Sequence, residues 1–409
     1  MGLGFSIRYP VDNNKKTGKE VYERFFRELS TIVPEWKTNS FFDDHGFRVR
    51  LVPFEEDIYG QWEDGSLCVS ARTNSAGPGY HAWLIQLLDR LKGRPLAVED
   101  ETGYYEHRDF KALQGSMMGW LKGLSDHLLE MAESDDCNNL SVSMAIDWAP
   151  EDSSHFTCCP LGYFEKSFFE RASQGLADGS EFFIWWNQKP DAHFFKNCAA
   201  NLIWCENNWL PPETKEEQSI IRTTLACLEK AYGLNNKLLY PVAEWQKLLQ
   251  LLNEEKRIKK WQARLGNAGE STLGYRHGNI SSNANGWRIT HSGKMHFECM
   301  EDGTSVWWDD SITIRLTVMT VQFKEEVENK SQALLQSVLR NESGYEPVSL
   351  RNDTIHAAIQ HTQYEENGEL LWQTRLNATL DNELLILSIY YPDESNRDLV
   401  VKICASVAR

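Results

Sequence analysis

The sequence predicts an α+β protein with two dissimilar halves. The first half is expected to form a split βαβ-type sheet with a large helical segment, and the second an antiparallel sheet packed with helices. Three observations lead to this fold class. Strands with period-two alternation are interleaved with amphipathic helices over 1–159, the pattern turns helical over 160–265, and strands dominate over 287–409. With 409 residues, 41% of them hydrophobic, the chain can build more than one core.

The first domain is predicted over 1–159. Alternation of apolar and polar residues predicts strands at 3–9, 47–54, 66–72 and 139–148. Apolar residues at helical spacing predict helices at 18–33, 84–91 and 108–132. The resulting order of strands and helices is compatible with a split βαβ arrangement.

The second segment, 160–265, is predicted to be mainly helical and to pack on the first domain. Thr214 lies three residues before Glu217, which is the spacing of a capping box, and Pro241 opens the next helix. The following residues, 266–286, are rich in Gly, Asn and Ser and have no hydrophobic period. We interpret them as a linker between domains.

Strands return after this linker. Turn sequences HSGK and EDGT predict hairpins within 287–308, and 311–323 alternate as one long strand. A helix at 324–341 is followed by four strands and a short helix that begins near Asn396. Alternating groups of strands and helices predict an antiparallel sheet with helices on a face.

This order of elements over 286–409 resembles the PsbP/Mog1/DcrB-like α+β sandwich. The resemblance rests on the strand that opens with GWRI and on the meander that ends in a helix. It covers under a third of the chain, and we recognise no family for residues 1–277. Members of that fold family are mostly binding modules, so the resemblance implies binding rather than catalysis.

Charge and cysteine usage limit the class of partner. The chain has 42 basic and 59 acidic side chains, for a formal net charge of −17. This balance disfavours nucleic acid, because phosphate binding needs concentrated Lys and Arg. The nine cysteines form no C-x-x-C pair, and the amino terminus has no basic segment followed by an apolar one. We expect a cytoplasmic protein without a signal peptide or membrane span.

The stretch SARTNSAGPGYHAW, residues 70–83, joins a predicted strand to a predicted helix. Backbone N–H groups at a helix amino terminus bind anions, and glycines let a phosphate approach closely. The spacing matches neither the Walker loop nor the G-x-G-x-x-G fingerprint, so a tight turn also explains the glycines. If the stretch binds a ligand, the predicted residues are Arg72, Asn74, Ser75, Gly77, Gly79 and His81.

Aromatic side chains are dense between residues 181 and 209. Most of them are expected in the core, but aromatic residues also anchor interfaces and pockets. The predicted partner-binding residues are Trp185, Trp186, Trp204 and Trp209.

Other motifs have ordinary explanations. The stretch HRDFKALQ, 107–114, resembles the protein-kinase catalytic loop, but no D-F-G occurs in the chain, so we interpret it as a helix start. His291, His296 and Cys299 offer zinc-type ligands without a fourth at a regular spacing, so no metal site is predicted. We expect buried thiols at Cys158 and Cys159 rather than a nucleophile.

Two acidic pairs and one basic run complete the motifs. Asp43–Asp44 and Asp309–Asp310 follow aromatic residues at apparent turns, where Asp is favoured for local hydrogen bonding. The basic run at 256–264 lies at a helix end, where cations complement the helix dipole. Neither pattern requires a ligand.

These patterns favour a binding protein over an enzyme. Our leading hypothesis is capture of a protein partner through an acidic, aromatic-rich surface, as inhibitors and immunity proteins do. One alternative is an enzyme or sensor that depends on an anion or a nucleotide and uses the 70–81 loop. A second is a defence or toxin component directed at nucleic acid through the basic run. No cofactor is predicted.

Overall fold

The three-dimensional structure is a computed structural model. It describes residues 2–10, 39–42, 45–50, 57–63, 65–90, 94–133, 140–141, 155–159, 161–265, 278–323, 327–340, 342–350, 354–366 and 369–409, with short pieces at 19, 23–24, 27–28, 31–32, 276 and 352. The chain divides into two compact units, Met1–Gly274 and Tyr275–Arg409, each with its own hydrophobic core. The boundary falls within the predicted linker, and the α+β class is confirmed.

A six-stranded sheet forms the base of the first unit, in the order β2-β3-β4-β5-β1-β6. Its strands are β1 (Gly4–Pro10), β2 (Asn39–Phe42), β3 (Gly46–Arg50), β4 (Ile58–Glu63), β5 (Ser66–Arg72) and β6 (Ala97–Asp100). All five pairings in this sheet are antiparallel. Strands β5 and β6 lie on either side of β1, each antiparallel to it, and the helix Pro78–Leu88 connects them along the chain. This is a split βαβ arrangement, as predicted.

Alternation along the strands decides which face of this sheet is buried. Phe5, Ile7 and Tyr9 of β1 are buried in the core, while the residues between them are partly or fully exposed. The buried face packs against helix α1 (Pro78–Leu88), and the Tyr9 hydroxyl donates to the Leu88 carbonyl at 3.3 Å. The opposite face of the sheet is the one from which a ligand or partner can approach.

The remaining helices of this unit are α2 (Tyr104–His107), α3 (Phe110–Ala132), α4 (Lys166–Ser173), α5 (Gly179–Phe182), α6 (Ala192–Cys205), α7 (Lys215–Leu234), α8 (Val242–Leu251) and α9 (Glu255–Leu265). Thr214 and Glu217 form the predicted capping box at the start of α7. Most of the predicted helix at 18–33 lies outside the described residues, and those that are described there are helical. A small sheet contains β7 (Leu140–Ser141), β8 (His155–Cys159) and β9 (Gly162–Glu165).

The second unit begins with a hairpin, β10 (Asn279–Ala284) and β11 (Trp287–Ser292). The predicted linker therefore contains a strand. The predicted HSGK turn does not close a hairpin, because β11 pairs with β10 and the next strand belongs to another sheet. The predicted EDGT turn joins β12 (His296–Cys299) to β13 (Ser305–Trp308), which confirms that hairpin.

These two strands open a seven-stranded antiparallel sheet in the order β12-β13-β14-β18-β17-β16-β15. The others are β14 (Thr313–Thr320), β15 (Glu346–Val348), β16 (His356–Glu366), β17 (Glu369–Leu380) and β18 (Glu383–Tyr391). Helix α10 (Lys330–Leu339) precedes β15, and α11 (Arg397–Ala405) ends the unit.

The two faces of this sheet have different coverings. One face carries Leu316, Leu387 and Leu376 into a core that includes Trp287 and residues of α11. On the other face, α10 covers one end, where the Thr379 hydroxyl donates to the Ser331 carbonyl at 2.8 Å. Among the described helices, none combines the length and the apolar character needed to cross a membrane.

Candidate functional site

The predicted 70–81 loop is a tight turn between β5 and α1. Residues 73–81 are all buried. The Gly77 N–H donates to the Thr73 carbonyl at 2.9 Å, and the Gly79 N–H donates to the Trp185 carbonyl at 2.9 Å. Because these N–H groups already have partners within the protein, they are not offered to a phosphate at the start of the helix.

Both glycines are explained by backbone geometry and packing. Gly77 has a φ of 107°, in the left-handed region that disfavours side chains. A Cβ on Gly79 would overlap the Trp185 indole and the Asn187 carbonyl oxygen. The backbone N–H of Trp185 donates in turn to the Ala76 carbonyl at 2.8 Å. The turn and the segment around Trp185 therefore hold each other in place.

His81 is the centre of a buried hydrogen-bond network. Its Nδ1 lies 2.8 Å from the Thr73 hydroxyl oxygen, and its Nε2 lies 3.3 Å from that of Thr102. Oδ1 of Asp100 is 3.4 Å from the same Nε2 atom. The ring of Phe5 packs edge-on against the imidazole. With no exposed surface, His81 supports the turn and does not meet a ligand in this conformation.

Asp100 is the charged member of this network. Its Oδ2 accepts the Tyr105 N–H at 2.7 Å, and its Oδ1 accepts the Thr102 N–H at 2.9 Å and hydroxyl at 2.7 Å. Burial by itself raises the pKa of this carboxyl, but the hydrogen bonds from His81, Thr102 and Tyr105 outweigh it and hold the pKa well below its usual value. The carboxylate is therefore ionised at neutral pH.

The loop leaves Arg72 as its exposed predicted residue. Ser75 is 5% exposed, and Asn74 uses its Oδ1 to accept the Leu3 N–H at 3.2 Å. The other three predicted ligand residues, Gly77, Gly79 and His81, are buried. The geometry gives no support to a ligand inside the turn, and ligand binding there stays a prediction.

Arg72 lines an open cavity of about 570 Å³ on the sheet face opposite α1. The strand register builds its floor, because Tyr59 lies opposite Ser70, Ser70 opposite Ser6, and Ser6 opposite Glu99. Tyr59 is 44% exposed. We call this the sheet-face cavity.

Carboxylates outnumber cations around the sheet-face cavity. Asp57, Glu99 and Glu101 line it together with one guanidinium, that of Arg72. Asp57 is compensated by two arginines beside the cavity, so the negative charge offered to a ligand lies at Glu99 and Glu101. These two carboxylates attract a cationic group.

Two of these carboxylates are held by neighbours. Asp57 contacts Nε of Arg48 at 3.2 Å and Nε of Arg50 at 3.0 Å. Glu101 accepts the Gly4 N–H at 2.8 Å, which fixes it at the rim of β1. The cavity therefore has positioned acceptors rather than freely moving side chains.

Sequence reasoning missed Tyr59, Asp57, Glu99 and Glu101. A signal for Tyr59 was present, because it follows the buried Ile58 on a strand and alternation places it on the other face. The sequence carries no comparable signal that the strands bearing these residues meet through β1 and β5.

The structure places the predicted partner-binding tryptophans mainly in the core. Trp185 and Trp204 are each 1% exposed, and Trp209 is 5% exposed. Trp186 is partly buried, and its ring stacks on Phe183 at a centroid distance of 5.6 Å. Three of the four indoles are therefore covered by the chain itself. The partner-binding role predicted for them gains no support and stays a prediction.

The kinase-like stretch is a helix start, as expected. The Asp109 side chain accepts the N–H groups of Lys111 and Ala112 and caps α3. Arg108 forms a salt bridge with Asp89 at 2.7 Å. Gln114, at the position of the kinase metal ligand, donates to a backbone carbonyl at 3.3 Å.

The histidines of the second unit have local partners. Nε2 of His291 lies 2.8 Å from the Ser282 hydroxyl oxygen, and the His296 ring packs against Trp308. Cys299 is exposed. In the part of the chain that the structure describes, no three His, Cys, Asp or Glu side chains form a group that could hold a metal ion.

The remaining motifs are also accounted for locally. In the basic run, Arg257 pairs with Glu229 at 2.6 Å and Glu254 at 3.1 Å. Asp309 accepts backbone N–H groups of its own turn. The acidic pair at 43–44 lies outside the described residues, as do the side chains of 158–159.

Comparison with known proteins shows similarity of fold only. No protein-family model matches the chain, and no curated protein matches it. A crystal structure from Bacteroides thetaiotaomicron VPI-5482 is 9% identical with a TM-score of 0.27, covering 31% of this chain and 46% of that one. The solution structure of cyanobacterial PsbP (CyanoP) from Synechocystis sp. PCC 6803 is 8% identical with a TM-score of 0.19, covering 36% of this chain and 98% of that one. The chain thus shares a weak fold-level resemblance with a PsbP-like protein, and spans about half the length of the Bacteroides chain.

Proposed function

We propose that this chain is a cytosolic binding protein of the inhibitor, immunity or defence-accessory type, which captures a protein partner on the open face of its six-stranded sheet. The observation that carries the proposal is the sheet-face cavity, in which a half-exposed tyrosine stands among three carboxylates. A Lys or Arg side chain of the partner complements this lining in both charge and shape.

The surface around the cavity has the residue types of an interface centre. The register places Phe41 opposite Arg48 and Arg48 opposite Tyr59, so an arginine lies between two exposed aromatic rings. Phe41 is 58% exposed. Tyr and Arg are enriched among residues that dominate binding energy, and a row of them across a sheet supplies a contact area wider than a small-molecule site.

Charge supports a basic partner. The chain has a net charge of −17, which accelerates association with a positively charged protein. Glu99 and Glu101 place charge of the same sign in the cavity. Long-range attraction and the final contact therefore favour the same class of partner.

The same charges weigh against the two alternatives. An anionic ligand would meet Arg72 but also three carboxylates. A nucleic acid would need the basic run, where Arg257 is already paired with two glutamates. We therefore favour the protein partner.

A photo-crosslinker tests this proposal. Tyr59 is replaced by p-benzoylphenylalanine in the full chain, and the protein is irradiated in its own cells. The expected result is one discrete protein adduct. Its yield should fall when Glu99→Gln is added, because this change removes one charge at nearly constant volume.

The matched control places the crosslinker at Leu239, which is 74% exposed and outside the sheet face. With the purified partner, Glu99→Gln is expected to weaken binding by about threefold to tenfold, the effect of roughly 1 kcal/mol. An adduct of equal yield at Leu239, or a Tyr59 adduct indifferent to Glu99→Gln, contradicts the proposal.

A further inference from the structure

The second unit contains a separate cavity of about 720 Å³ on the outer face of its sheet. It lies toward the end of β17 opposite to the one that α10 covers. Its volume is in the range that small-molecule sites occupy. We call it the tyrosine cavity.

Two tyrosines and a glutamine form the floor and wall. Thr313 lies opposite Tyr390, and Tyr390 lies opposite Gln373. The Gln373 amide donates to the Tyr390 hydroxyl at 3.1 Å, which fixes that ring. Tyr364 packs against it at a centroid distance of 6.4 Å and an interplanar angle of 84°. In this edge-to-face pair, at least one π face is left uncovered by the other ring.

Carboxylates line the same cavity. Glu298 and Asp310 are both exposed there. Asp309 also lines it, but its Oδ1 accepts the Ser311 N–H at 2.8 Å, the Ser311 hydroxyl at 2.7 Å and the Ile312 N–H at 3.0 Å. Glu298 and Asp310 are therefore the carboxylates placed to meet a ligand.

Arg315 is the single cation among the lining residues. Asp302, which does not line the cavity, interacts electrostatically with Arg315. This interaction offsets part of the guanidinium charge. The lining therefore keeps a negative balance beside aromatic π faces, and both features attract cations.

We infer that the tyrosine cavity binds a ring-bearing amine, with its ammonium group at Glu298 and Asp310 and its ring against Tyr364 and Tyr390. The amine is either a free small molecule or the amino-terminal residue of a peptide, because both present the same ring and ammonium. The inference does not depend on the proposed function, since every lining residue belongs to the second unit.

Methyl NMR of the full chain with labelled methionines tests the inference. Met300 lines the cavity and is 40% exposed, while Met319 is 42% exposed and lies outside the lining. Tyramine, and tyrosyl-alanine amide as its peptide counterpart, are titrated to millimolar concentration. A saturable shift of the Met300 methyl resonance, with no shift at Met319, supports binding in the tyrosine cavity. The probe that produces this shift shows whether the ligand is a free amine or the amino-terminal residue of a peptide.

The probe 4-hydroxyphenylacetate has the same ring and an opposite charge. It is expected to leave Met300 unchanged. No Met300 shift with either amine, an equal shift at Met319, or equal binding of the anion overturns the inference.

Variants separate the charge from the ring. Glu298→Gln is expected to weaken amine binding about fivefold, while the exposed neighbour Glu301→Gln leaves it within twofold. Tyr364→Leu is expected to weaken binding about fivefold and Tyr364→Phe less, because Phe keeps the π face. Equal affinity in Glu298→Gln and Glu301→Gln, or in Tyr364→Leu and the unmodified chain, rejects the inference.

Discussion

Replacing Asp100 with Asn tests whether one buried carboxylate holds the turn between β6 and α2. In the native chain this side chain is 3% exposed and accepts hydrogen bonds from Thr102 and Tyr105, with His81 at 3.4 Å. Asn keeps one acceptor oxygen and exchanges the other for an NH₂ group. A group that donates to the replaced oxygen in the native chain would then face the new NH₂ group, which is also a donor.

The expected loss of unfolding free energy is about 3 kcal/mol. A hydrogen bond to a charged group contributes roughly 1.5–3 kcal/mol, and leaving a buried polar group without a partner costs about 1–3 kcal/mol more. The lower part of the combined range applies, because the Thr102 hydroxyl can rotate to pair with the new amide. The turn keeps its second backbone contact, from the Thr102 N–H.

This loss is measured by urea denaturation with hydrogen-exchange mass spectrometry as the readout, which reports on peptides of the first unit separately from those of the second. The matched control is Asp109→Asn, which makes the same chemical change at an exposed helix cap. Asn caps helices as well as Asp, so the control is expected to change stability by less than about 0.5 kcal/mol. Equal losses for Asp100→Asn and Asp109→Asn would refute the reasoning.

The loss must also depend on pH. The folded-state pKa of Asp100 lies below the unfolded value of about 3.9, so its stabilisation is complete above that value and is lost as pH falls through the folded pKa. The difference between Asp100→Asn and the unmodified chain is therefore expected to be largest at neutral pH and to shrink below about pH 4. A difference that stays constant into acid would show that charge is not what stabilises the turn.

Three further predictions concern packing and burial. Gly79→Ala is expected to lower the unfolding free energy by about 2–3 kcal/mol, because the new methyl group overpacks the core. Gly115→Ala lies in α3 with open space around it and is expected to raise the unfolding free energy by about 0.5–1 kcal/mol. Thermal unfolding compares the two variants, and equal melting temperatures would contradict this prediction. Thr374→Val removes a buried hydroxyl that lies 2.8 Å from Nδ1 of His361 and 3.0 Å from the Tyr391 hydroxyl. Urea denaturation is expected to show that the unfolding free energy falls by about 1–3 kcal/mol, and an unchanged value would contradict this. Burial raises the pKa of the Cys404 thiol to about 12, so iodoacetamide is expected to label exposed Cys299 in the native protein and Cys404 only after unfolding; native labelling of both at equal rates would argue against this.

Local features of the fold were predictable because their determinants lie within a few residues of each other. The helix predicted at 108–132 is Phe110–Ala132, capped by Asp109 from two and three residues away. Thr214 and Glu217 satisfy each other's backbone groups across one turn. Period-two alternation likewise located β1 and β5 closely.

Strand partnership was less predictable. The segment 279–284, with sequence NISSNA, has no hydrophobic period and was expected to be part of a linker. It is a strand because β11 supplies backbone partners. In the same way, HSGK reads locally as a hairpin turn, but β11 is already paired with β10 and β12 is paired with β13.

The candidate site shows the same division. The sequence identified the 70–81 segment as a glycine-rich turn between a strand and a helix, and that description is correct. It did not reveal that Trp185, more than one hundred residues away, occupies the space beside Gly79. The amino-acid types of this segment suit an anion-binding site, but in the folded chain the Trp185 indole occupies the space beside Gly79.

By itself, therefore, the sequence determined the α+β class, the approximate bounds of several strands and helices, the acidic charge and the capping box of Thr214 and Glu217. Each of these depends on short-range backbone hydrogen bonding or on composition. Only the tertiary structure decided which strands are neighbours, which aromatic residues are covered and where carboxylates meet. Glu101 reaches the Gly4 N–H across 97 positions, and Tyr59 and Glu99 share a cavity only because β5 and β1 lie between their strands. Contacts of this kind arise from chain topology, which local periodicity does not encode.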